Sequence, residues 1–385
     1  MNNSLKILIV EDSETDADLL IRFLKKENIN FSHSRVWNKD AFINALNENN
    51  YDLIIADHTL PQFSGMEAFH IAKNKNIPFI LITGSVSEKI LTEYAKEGVD
   101  DYILKENLLR LPSAIVNVVS KKKIEQLHEK LEIAHTHIND SINYSKIIQE
   151  AMLPDEAILH ANFPESFIFF KPKDILSGDF YWFKKGEHTF SIAVADCTGH
   201  GVPGALLSMM GFNILYEAVS TKKISLPSEV LDRLNKQVRR ILKHGTTTIN
   251  DGMDIVFCTI DMKRKIIMYA GANRPLYIER EKKMIEFKPD KISIGGIDNT
   301  EMKFTNHTIP IKNGDRIFLF SDGYTDQFHF ETGKKIMRKG LKELLTISAN
   351  LSFNEQRKFM KYFFENWKGN KEQVDDVLLM MVQIP

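Results

Sequence analysis

The sequence predicts an α/β protein with two domains joined by a long helix. In residues 1–120, short continuous apolar runs alternate with amphipathic helical patterns, as in a doubly wound parallel sheet covered on both faces. In residues 121–153 the turn signals disappear and apolar residues recur every three or four positions, which predicts a helical coiled-coil linker. In residues 154–385 strand-like runs follow one another closely, with helical stretches between them, which predicts an α/β sandwich.

Composition excludes several classes of protein. The 385 residues carry 50 Lys and Arg against 51 Asp and Glu, a net charge of -1, which argues against a dedicated nucleic-acid binder or a polybasic membrane binder. The two cysteines, Cys197 and Cys258, lie in apolar runs without metal-ligand spacing, which favours free thiols in a reducing compartment. The start is a poor signal peptide, and no apolar run approaches the roughly 20 residues of a spanning helix. We therefore expect a cytoplasmic protein that binds neither nucleic acid nor membrane.

Polar residues directly follow the predicted strands of the first domain. These strands are expected at Leu5–Val10, Leu53–Ala56, Phe79–Ile82 and Tyr102–Leu104. The polar residues after them are Glu11 and Asp12, Asp57, Thr83 and Lys105. Because parallel strands end at one edge of a sheet, these side chains should cluster there. Three converging acids repel one another and need a shared hard cation such as Mg²⁺, while a lysine and a hydroxyl group suit phosphate oxygens.

This pattern resembles the receiver domain of bacterial response regulators over residues 4–120. The resemblance implies a sensor histidine kinase as partner and Asp57 as the phosphoacceptor. It implies that Glu11, Asp12 and Asp57 bind Mg²⁺. It also implies that Thr83 and Tyr102 are the switch residues and that Lys105 contacts the phosphate. Glu106 stands where the family usually has proline, which leaves the chemistry intact. A degenerate receiver that only docks or dimerises is the alternative.

The linker has a heptad-like repeat that changes character along its length. Its repeat positions are Ile124, Leu127, Leu131, Ala134, Ile138, Ser141, Ser145, Ile148 and Met152. Polar residues at such positions weaken a coiled coil and allow a change of register. The pattern fits either a lone amphipathic helix packed on a domain or a parallel dimer stalk. The stalk is favoured because the helix leaves one domain and enters another, and Pro154 ends it.

Acids also stand at the edges of apolar runs in the last domain. They are Asp179, Asp196, Asp322 and the pair Asp375–Asp376. Asp196 ends the run FSIAVAD and precedes a glycine-rich turn, so it could either ligate a metal or cap the next helix. An all-oxygen set selects Mg²⁺ or Mn²⁺ over zinc, and two such ions can activate water against a phosphoryl group. The chain has no P-loop or nucleophile-elbow motif to compete with this interpretation.

The last domain is similar to the SpoIIE/RsbU-type branch of the metal-dependent (PPM) serine/threonine protein phosphatases. The motifs KPKDILSGDFYWF, VADCTGHGVPGALLS, GMDIVFCTID, YAGANRPLYI, LFSDGYTDQ and VDDVLLMMV carry the resemblance, in family order. It implies two Mn²⁺ or Mg²⁺ ions, held by Asp179, Asp196 and the backbone carbonyl of Cys197. It also implies that Asp322 and Asp375 complete one shell, with Asp376 as the alternative to Asp375.

Three further residues lie in the motifs of the last domain, and two of them have two interpretations each. Asn273 stands where many relatives carry an aspartate for a third metal, so a third site is doubtful. Lys173 either meets substrate phosphate or is a solvated lysine, and His200 is either a general acid or a turn histidine held by local hydrogen bonds.

Together the resemblances imply a response regulator phosphatase. Phosphorylation of the receiver would control dephosphorylation of a phosphoserine or phosphothreonine protein, by family resemblance an anti-sigma-factor antagonist. The alternative is a catalytically silent module that binds such a partner after receiver phosphorylation.

Overall fold

A parallel five-stranded sheet forms the first of two units in the computed structural model, which describes residues 4–61, 63–84, 88–242, 251–296 and 303–385. The two units are Met1–His137 and Ile138–Pro385. The first contains β1 (Leu5–Val10), α1 (Glu14–Lys26), β2 (Phe31–Val36), α2 (Lys39–Glu48), β3 (Leu53–Asp57), α3 (Gly65–Ala72), β4 (Phe79–Thr83), α4 (Glu88–Glu97) and β5 (Asp101–Leu104). A 3₁₀ turn at Lys105–Arg110 leads into the next helix.

The sheet of the first unit has the order β2-β1-β3-β4-β5, with every pairing parallel. Alternate residues of β1 enter two different cores: Leu8 and Val10 pack with residues of α2 and α3, whereas Ile7 and Ile9 pack with residues of α1. This two-sided burial confirms the predicted doubly wound sheet.

Side chains in the loops fix where the receiver helices begin. Ser13 and Asn38 accept hydrogen bonds from the first turns of α1 and α2. Ser64 and Glu67 form a reciprocal capping box at the start of α3, a device that contributes about 1 kcal/mol.

Sequence analysis missed β2. It is an edge strand in which Val36 alone is fully buried, and its centre, Ser32 to Ser34, is exposed. A strand with one buried residue gives no continuous apolar run, so the apolar pattern cannot reveal it.

Helix α5 runs without a break from Leu111 to Met152. Its first turns belong to the core of the first unit, where Leu111 and Ile115 are fully buried. The receiver's last helix and the predicted linker are therefore one element. The middle of the helix exposes its apolar repeat, with Leu131 67% exposed. A coiled-coil dimer through this stripe stays a prediction.

The second unit is built from ten strands and six further helices. The strands are β6 (Ser166–Lys171), β7 (Phe180–Lys185), β8 (Thr189–Cys197), β9 (Met253–Asp261), β10 (Ile266–Ala272), β11 (Leu276–Arg280), β12 (Lys283–Phe287), β13 (His307–Pro310), β14 (Arg316–Phe320) and β15 (Val377–Gln383). The helices are α6 (Glu156–Asn162), α7 (Gly201–Tyr216), α8 (Pro227–Ile241), α9 (Gly323–Asp326), α10 (Met337–Ile347) and α11 (Phe353–Lys368). These counts refer to the described ranges.

Two antiparallel sheets, ordered β13-β10-β9-β8-β7 and β12-β11-β14-β15-β6, pack face to face. On β8, Ile192 and Val194 enter the core between the sheets, whereas Ala193 and Ala195 face the core shared with α7 and α8. Helices α10 and α11 cover the other sheet in the same way. The order helix, sheet, sheet, helix confirms the predicted α/β sandwich.

One segment departs from the expectation about membrane spans. By length and composition alone, Gly201–Thr221, which comprises α7 and a following π-helical turn, is apolar enough to cross a membrane. In the structure Leu207, Ile214 and Leu215 of α7 pack against the first sheet instead. Its apolar character is that of a core helix.

Candidate active site

Four acids from distant parts of the chain meet at one end of the sandwich. Asp196 lies near the end of β8, Asp322 follows β14, Asp179 precedes β7 and Asp375 precedes β15. Burial raises the pKa of both Asp179 and Asp375. Repulsion from Asp196 raises the pKa of Asp179 further, and repulsion from Asp322 does the same for Asp375. The structure thus brings together the acids that sequence analysis selected.

Arg274 lies at the centre of this cluster, and sequence analysis did not single it out. Its Nη2 donates to Asp196 Oδ2 at 2.6 Å and to Asp322 Oδ2 at 2.7 Å, and lies 3.6 Å from Asp254 Oδ2. The arginine side chain is 6% exposed. Desolvation raises the pKa of Asp196 to about 8, although the charge of Arg274 acts in the opposite direction.

Asp179 is the most deeply buried acid of the cluster. Its backbone N–H donates to Ser177 Oγ, while its Oδ2 is buried and has no hydrogen-bond partner in the described part of the chain. A buried carboxylate oxygen without a partner carries a large desolvation cost unless something binds it. Burial accordingly raises the pKa of Asp179 well above its usual range.

The neighbours Asp375 and Asp376 have different surroundings. The two carboxylate oxygens of Asp376 accept backbone hydrogen bonds from Lys173 and Gly178, each at 2.7 Å. Asp376 thus holds the loop that leads to Asp179. Asp375 uses its Oδ1 to accept from the N–H of Asp376. Since both oxygens of Asp376 already accept hydrogen bonds, this geometry favours Asp375 over Asp376 as a metal ligand.

The glycine-rich turn after Asp196 brings backbone carbonyls close to the acids. Gly199 and Gly201 have φ angles of +82° and +64°, a region that glycine favours, and α7 begins at Gly201. A Cβ on Gly178 would lie 2.5 Å from Gly199 O and 3.3 Å from Cys197 O. The glycines therefore keep an oxygen-lined space near Asp179.

The other candidate residues are placed as follows. His200 is exposed, and its Nδ1 lies 2.5 Å from Oδ2 of Asp174, which precedes it by 26 residues in the chain. The charge of Lys173 lowers the pKa of Asp375, so this lysine lies beside the cluster. Asn273 donates to Asp254 Oδ1 and to Ser293 Oγ.

Asp254 is an acid that sequence analysis missed. It pairs with Asp196 across β8 and β9, and its Oδ1 accepts from both Asn273 and Ser293. Its position inside the largely apolar motif GMDIVFCTID could have marked Asp254 as a candidate site residue.

The donor set suits a hard divalent cation, but the side chains are not arranged around one. Carboxylates, a carbonyl and the unpartnered Oδ2 of Asp179 are the oxygen ligands that Mg²⁺ and Mn²⁺ prefer. Yet within the described ranges no group of three or more His, Cys, Asp or Glu side chains is positioned to hold a metal ion. Arg274 supplies the positive charge at Asp196 and Asp322 instead.

The end of α5 is attached to the loop that carries Asp179. Gln149 is buried, its Oε1 accepts from Ser177 N at 3.1 Å, and its Nε2 donates to Ser177 O at 2.6 Å and to Ser208 Oγ at 2.9 Å. Because Ser177 lies two residues before Asp179, the helix end and this acid are joined by a short segment of backbone.

In the first unit Lys105 joins the predicted acids. Its Nζ lies 2.6 Å from Asp57 Oδ2, 2.9 Å from Asp16 Oδ2 and 3.7 Å from Glu11 Oε2. Burial raises the pKa of Glu11 to about 7, and the charge of Asp57 adds to this effect. Asp16 was not singled out because it lies on helix α1 rather than after a strand.

The remaining receiver residues flank this cluster. Asp12 is exposed, and its carbonyl accepts from Arg35, which also binds the carbonyl of Glu11. Thr83 is buried at the end of β4. The ring of Tyr102, on β5, lies 6.4 Å from that of Tyr94.

Comparisons with known proteins match both units. The profile of the family "Stage II sporulation protein E (SpoIIE)" matches residues 186–385, just over half of the chain, and that of the response regulator receiver domain matches residues 7–116. Among solved structures, the SiaA-PP2C domain of Pseudomonas aeruginosa is similar with a TM-score of 0.60 and 28% identity, over 66% of this chain and 99% of that one.

Two curated proteins share parts of the sequence. The phosphoserine phosphatase RsbU of Bacillus subtilis (strain 168) is 27% identical over 209 residues, which cover 52% of this chain and 55% of RsbU. The transcriptional regulatory protein SrrA of Staphylococcus aureus (strain NCTC 8325 / PS 47) is 30% identical over 145 residues, 35% of this chain and 59% of SrrA. The chain spans little more than half the length of either relative.

Proposed function

We propose, on the premise that this chain belongs to the SpoIIE family and carries a response regulator receiver domain, that it is a receiver-controlled protein phosphatase. The reaction is hydrolysis of a phosphoserine or phosphothreonine ester on a protein. The observation that carries this proposal is the convergence of Asp179, Asp196, Asp322 and Asp375, with a buried oxygen of Asp179 left without a partner.

Two Mn²⁺ or Mg²⁺ ions would supply a deprotonated water and a positive field for the phosphoryl oxygens. The chain's own contribution is to place and orient ligands: Asp179, Asp196 and the carbonyl of Cys197, with Asp322 and Asp375 beside them. Asp376 keeps the Asp179 loop in position through its two backbone hydrogen bonds. Asp179 is buried, which would strengthen its interaction with a bound ion.

The receiver is proposed to take phosphate on Asp57 from a sensor histidine kinase, with Mg²⁺ at Glu11, Asp12 and Asp57. Lys105 contacts Asp57 at 2.6 Å, so its ammonium group is close enough to bind a phosphate oxygen on that carboxylate. Thr83 and Tyr102 are the proposed switch residues, since they end β4 and lie in β5 beside it.

The substrate is proposed to be a phosphorylated protein resembling an anti-sigma-factor antagonist. Support comes from family membership and from the similarity to RsbU, a protein named as a phosphoserine phosphatase. The proposed setting is the cytoplasm, without nucleic acid or membrane as partner, and the balanced charge favours it. A homodimer through the exposed stripe of α5 is part of the same proposal.

The test is hydrolysis by the purified full chain with Mn²⁺, on a phosphoserine peptide and on a generic phosphoester. Asp196→Asn should lower the rate about a thousandfold or more, because losing a carboxylate that would help to hold the metal ions would cost several kcal/mol of transition-state stabilisation. Asp261→Asn is the matched control, since Asp261 is a buried aspartate at the far end of β9.

Wild-type turnover by Asp196→Asn would show that the site is assigned wrongly. A folded wild-type chain that binds the phosphopeptide without hydrolysing it would favour the silent binding module instead.

A further inference from the structure

Arg274 contacts two of the carboxylates that the proposed function assigns to metal ions. We propose that Arg274 competes with metal ions for Asp196 and Asp322, and that its side chain must leave these acids before metal ions bind them. This inference rests on the proposed function and concerns how that same site is loaded.

The contacts of Arg274 and the expected metal ligands are the same atoms. A single nitrogen, Nη2, lies 2.6 Å from Asp196 Oδ2 and 2.7 Å from Asp322 Oδ2. A guanidinium at this distance and a divalent cation on the same oxygens would repel each other strongly in a buried site. The two states therefore exclude one another, and metal binding is an exchange of cations.

The way Arg274 is held differs from that of the structural arginines nearby. Arg280 makes a two-pronged contact with Asp315, through Nε to Oδ1 at 2.9 Å and Nη2 to Oδ2 at 2.6 Å. Arg274 contacts its carboxylates through one nitrogen, and its buried Nε has no hydrogen-bond partner among the described residues. A buried donor without a partner costs free energy, so Arg274 is bound by charge rather than by a fitted geometry.

The backbone of Arg274 is fixed, which confines the exchange to the side chain. Its N–H donates to Ala272 O at 2.7 Å, and its carbonyl accepts from the hydroxyl of Tyr269 at 2.9 Å. The preceding residue, Asn273, is held by Asp254 and Ser293. The proposed exchange is therefore a movement of the side chain, with the backbone of Arg274 held in place.

Charge balance explains why a metal ion would still win. Asp196, Asp254 and Asp322 face one guanidinium, so the metal-free cluster keeps an excess of acid over base. A divalent ion neutralises more of that charge, but its apparent affinity is lowered by the free energy needed to displace Arg274. Removing the arginine should therefore tighten metal binding.

The experiment measures Mn²⁺ affinity of the full chain directly, by calorimetry and by the paramagnetic resonance signal of free Mn²⁺. Arg274→Gln should bind Mn²⁺ about fivefold more tightly or better, the lower end of ordinary coupling between sites. Arg280→Gln is the matched control, and its Mn²⁺ affinity should equal that of the wild type. A merely structural role for Arg274 would leave the affinity unchanged or weaken it.

A second variant covers a failure of Arg274→Gln to fold. Arg274→Met removes the positive charge and keeps an unbranched side chain, and it should also bind Mn²⁺ more tightly than the wild type. Affinity equal to or weaker than wild type in a folded variant overturns the inference. If the wild type itself binds no Mn²⁺ and hydrolyses no phosphoester, the proposed function fails as well, so the two failures are distinguishable.

Discussion

Each of the two units holds three acids around one basic side chain, and the two basic side chains differ in their exposure to solvent. In the receiver Lys105 contacts Asp57 and Asp16 and lies near Glu11, and its side chain is 34% exposed. In the second unit Arg274 contacts Asp196 and Asp322 in the same manner, and its side chain is 6% exposed. In both clusters a basic side chain supplies the positive charge that the acids share.

The difference in depth changes what the basic residue does. Lys105 is partly exposed, so water weakens its contacts, although Asp57 and Glu11 beside it are buried. Arg274 is buried, which strengthens its contact with Asp196, whereas Asp322 is 38% exposed and is partly screened. The receiver thus buries its acids and exposes its base, whereas the second unit buries its base and partly exposes one of its acids.

The largest expected effect concerns the receiver cluster. Asp57→Ala should abolish covalent labelling of the chain by acetyl phosphate with Mg²⁺, because the proposed acceptor is then missing. Asp16→Ala is the matched control and should label normally, since Asp16 lies on α1, is 45% exposed and contacts Lys105 from the side. Labelling of Asp57→Ala at the wild-type level, measured by intact mass, would move the acceptor to another acid.

The same comparison shows what the sequence could predict. Receiver acids follow consecutive parallel strands, so local pattern alone places them at one edge. The phosphatase acids are far apart in sequence, and they were recognised because each stands at the edge of an apolar run. The two sheets that bring these acids together were predicted from the family resemblance and from the close succession of strand-like runs. The structure confirms the predicted fold class in both units.

The basic and the supporting residues were harder to find. Arg274 lies in the motif YAGANRPLYI between two buried strands, and an arginine there is a signal of an inward charge. A single sequence does not say which acids it meets, because that contact depends on tertiary packing. Nor does it separate Asp375 from Asp376, since neighbouring side chains point in different directions. Gln149 looked like an ordinary helix residue.

A second effect tests whether the two clusters act on each other through α5. Leu131→Asp should convert a dimer to monomers in sedimentation, because a charge in the exposed apolar repeat opposes pairing. It should also uncouple the phosphatase rate from receiver phosphorylation, a change that needs a few kcal/mol of differential stability. Ile133→Asp is the matched control, since Ile133 is an exposed apolar residue outside the repeat.

The two readouts of Leu131→Asp separate two ideas. A variant that stays dimeric would show that the stripe is not the dimer contact. A monomeric variant that still responds normally to phosphodonor would show that the helix does not transmit the signal. In that case the two carboxylate clusters would resemble each other in composition but would not be coupled through α5.

The smallest effect concerns the proton on Glu11. Burial raises the pKa of Glu11 from its ordinary value of 4.5 to about 7. The folded pKa lies above the unfolded one, so the contribution of Glu11 to the stability of the metal-free receiver is present below pH 4.5 and is lost as the pH rises through 7. Mg²⁺ has to displace this proton, and its affinity should therefore be about tenfold weaker at pH 6 than at pH 8. Titration calorimetry in two buffers of different ionisation enthalpy would count the released proton. Glu11→Gln should remove both the proton release and the slope, and a slope that persists in this variant would assign the proton to another acid of the cluster.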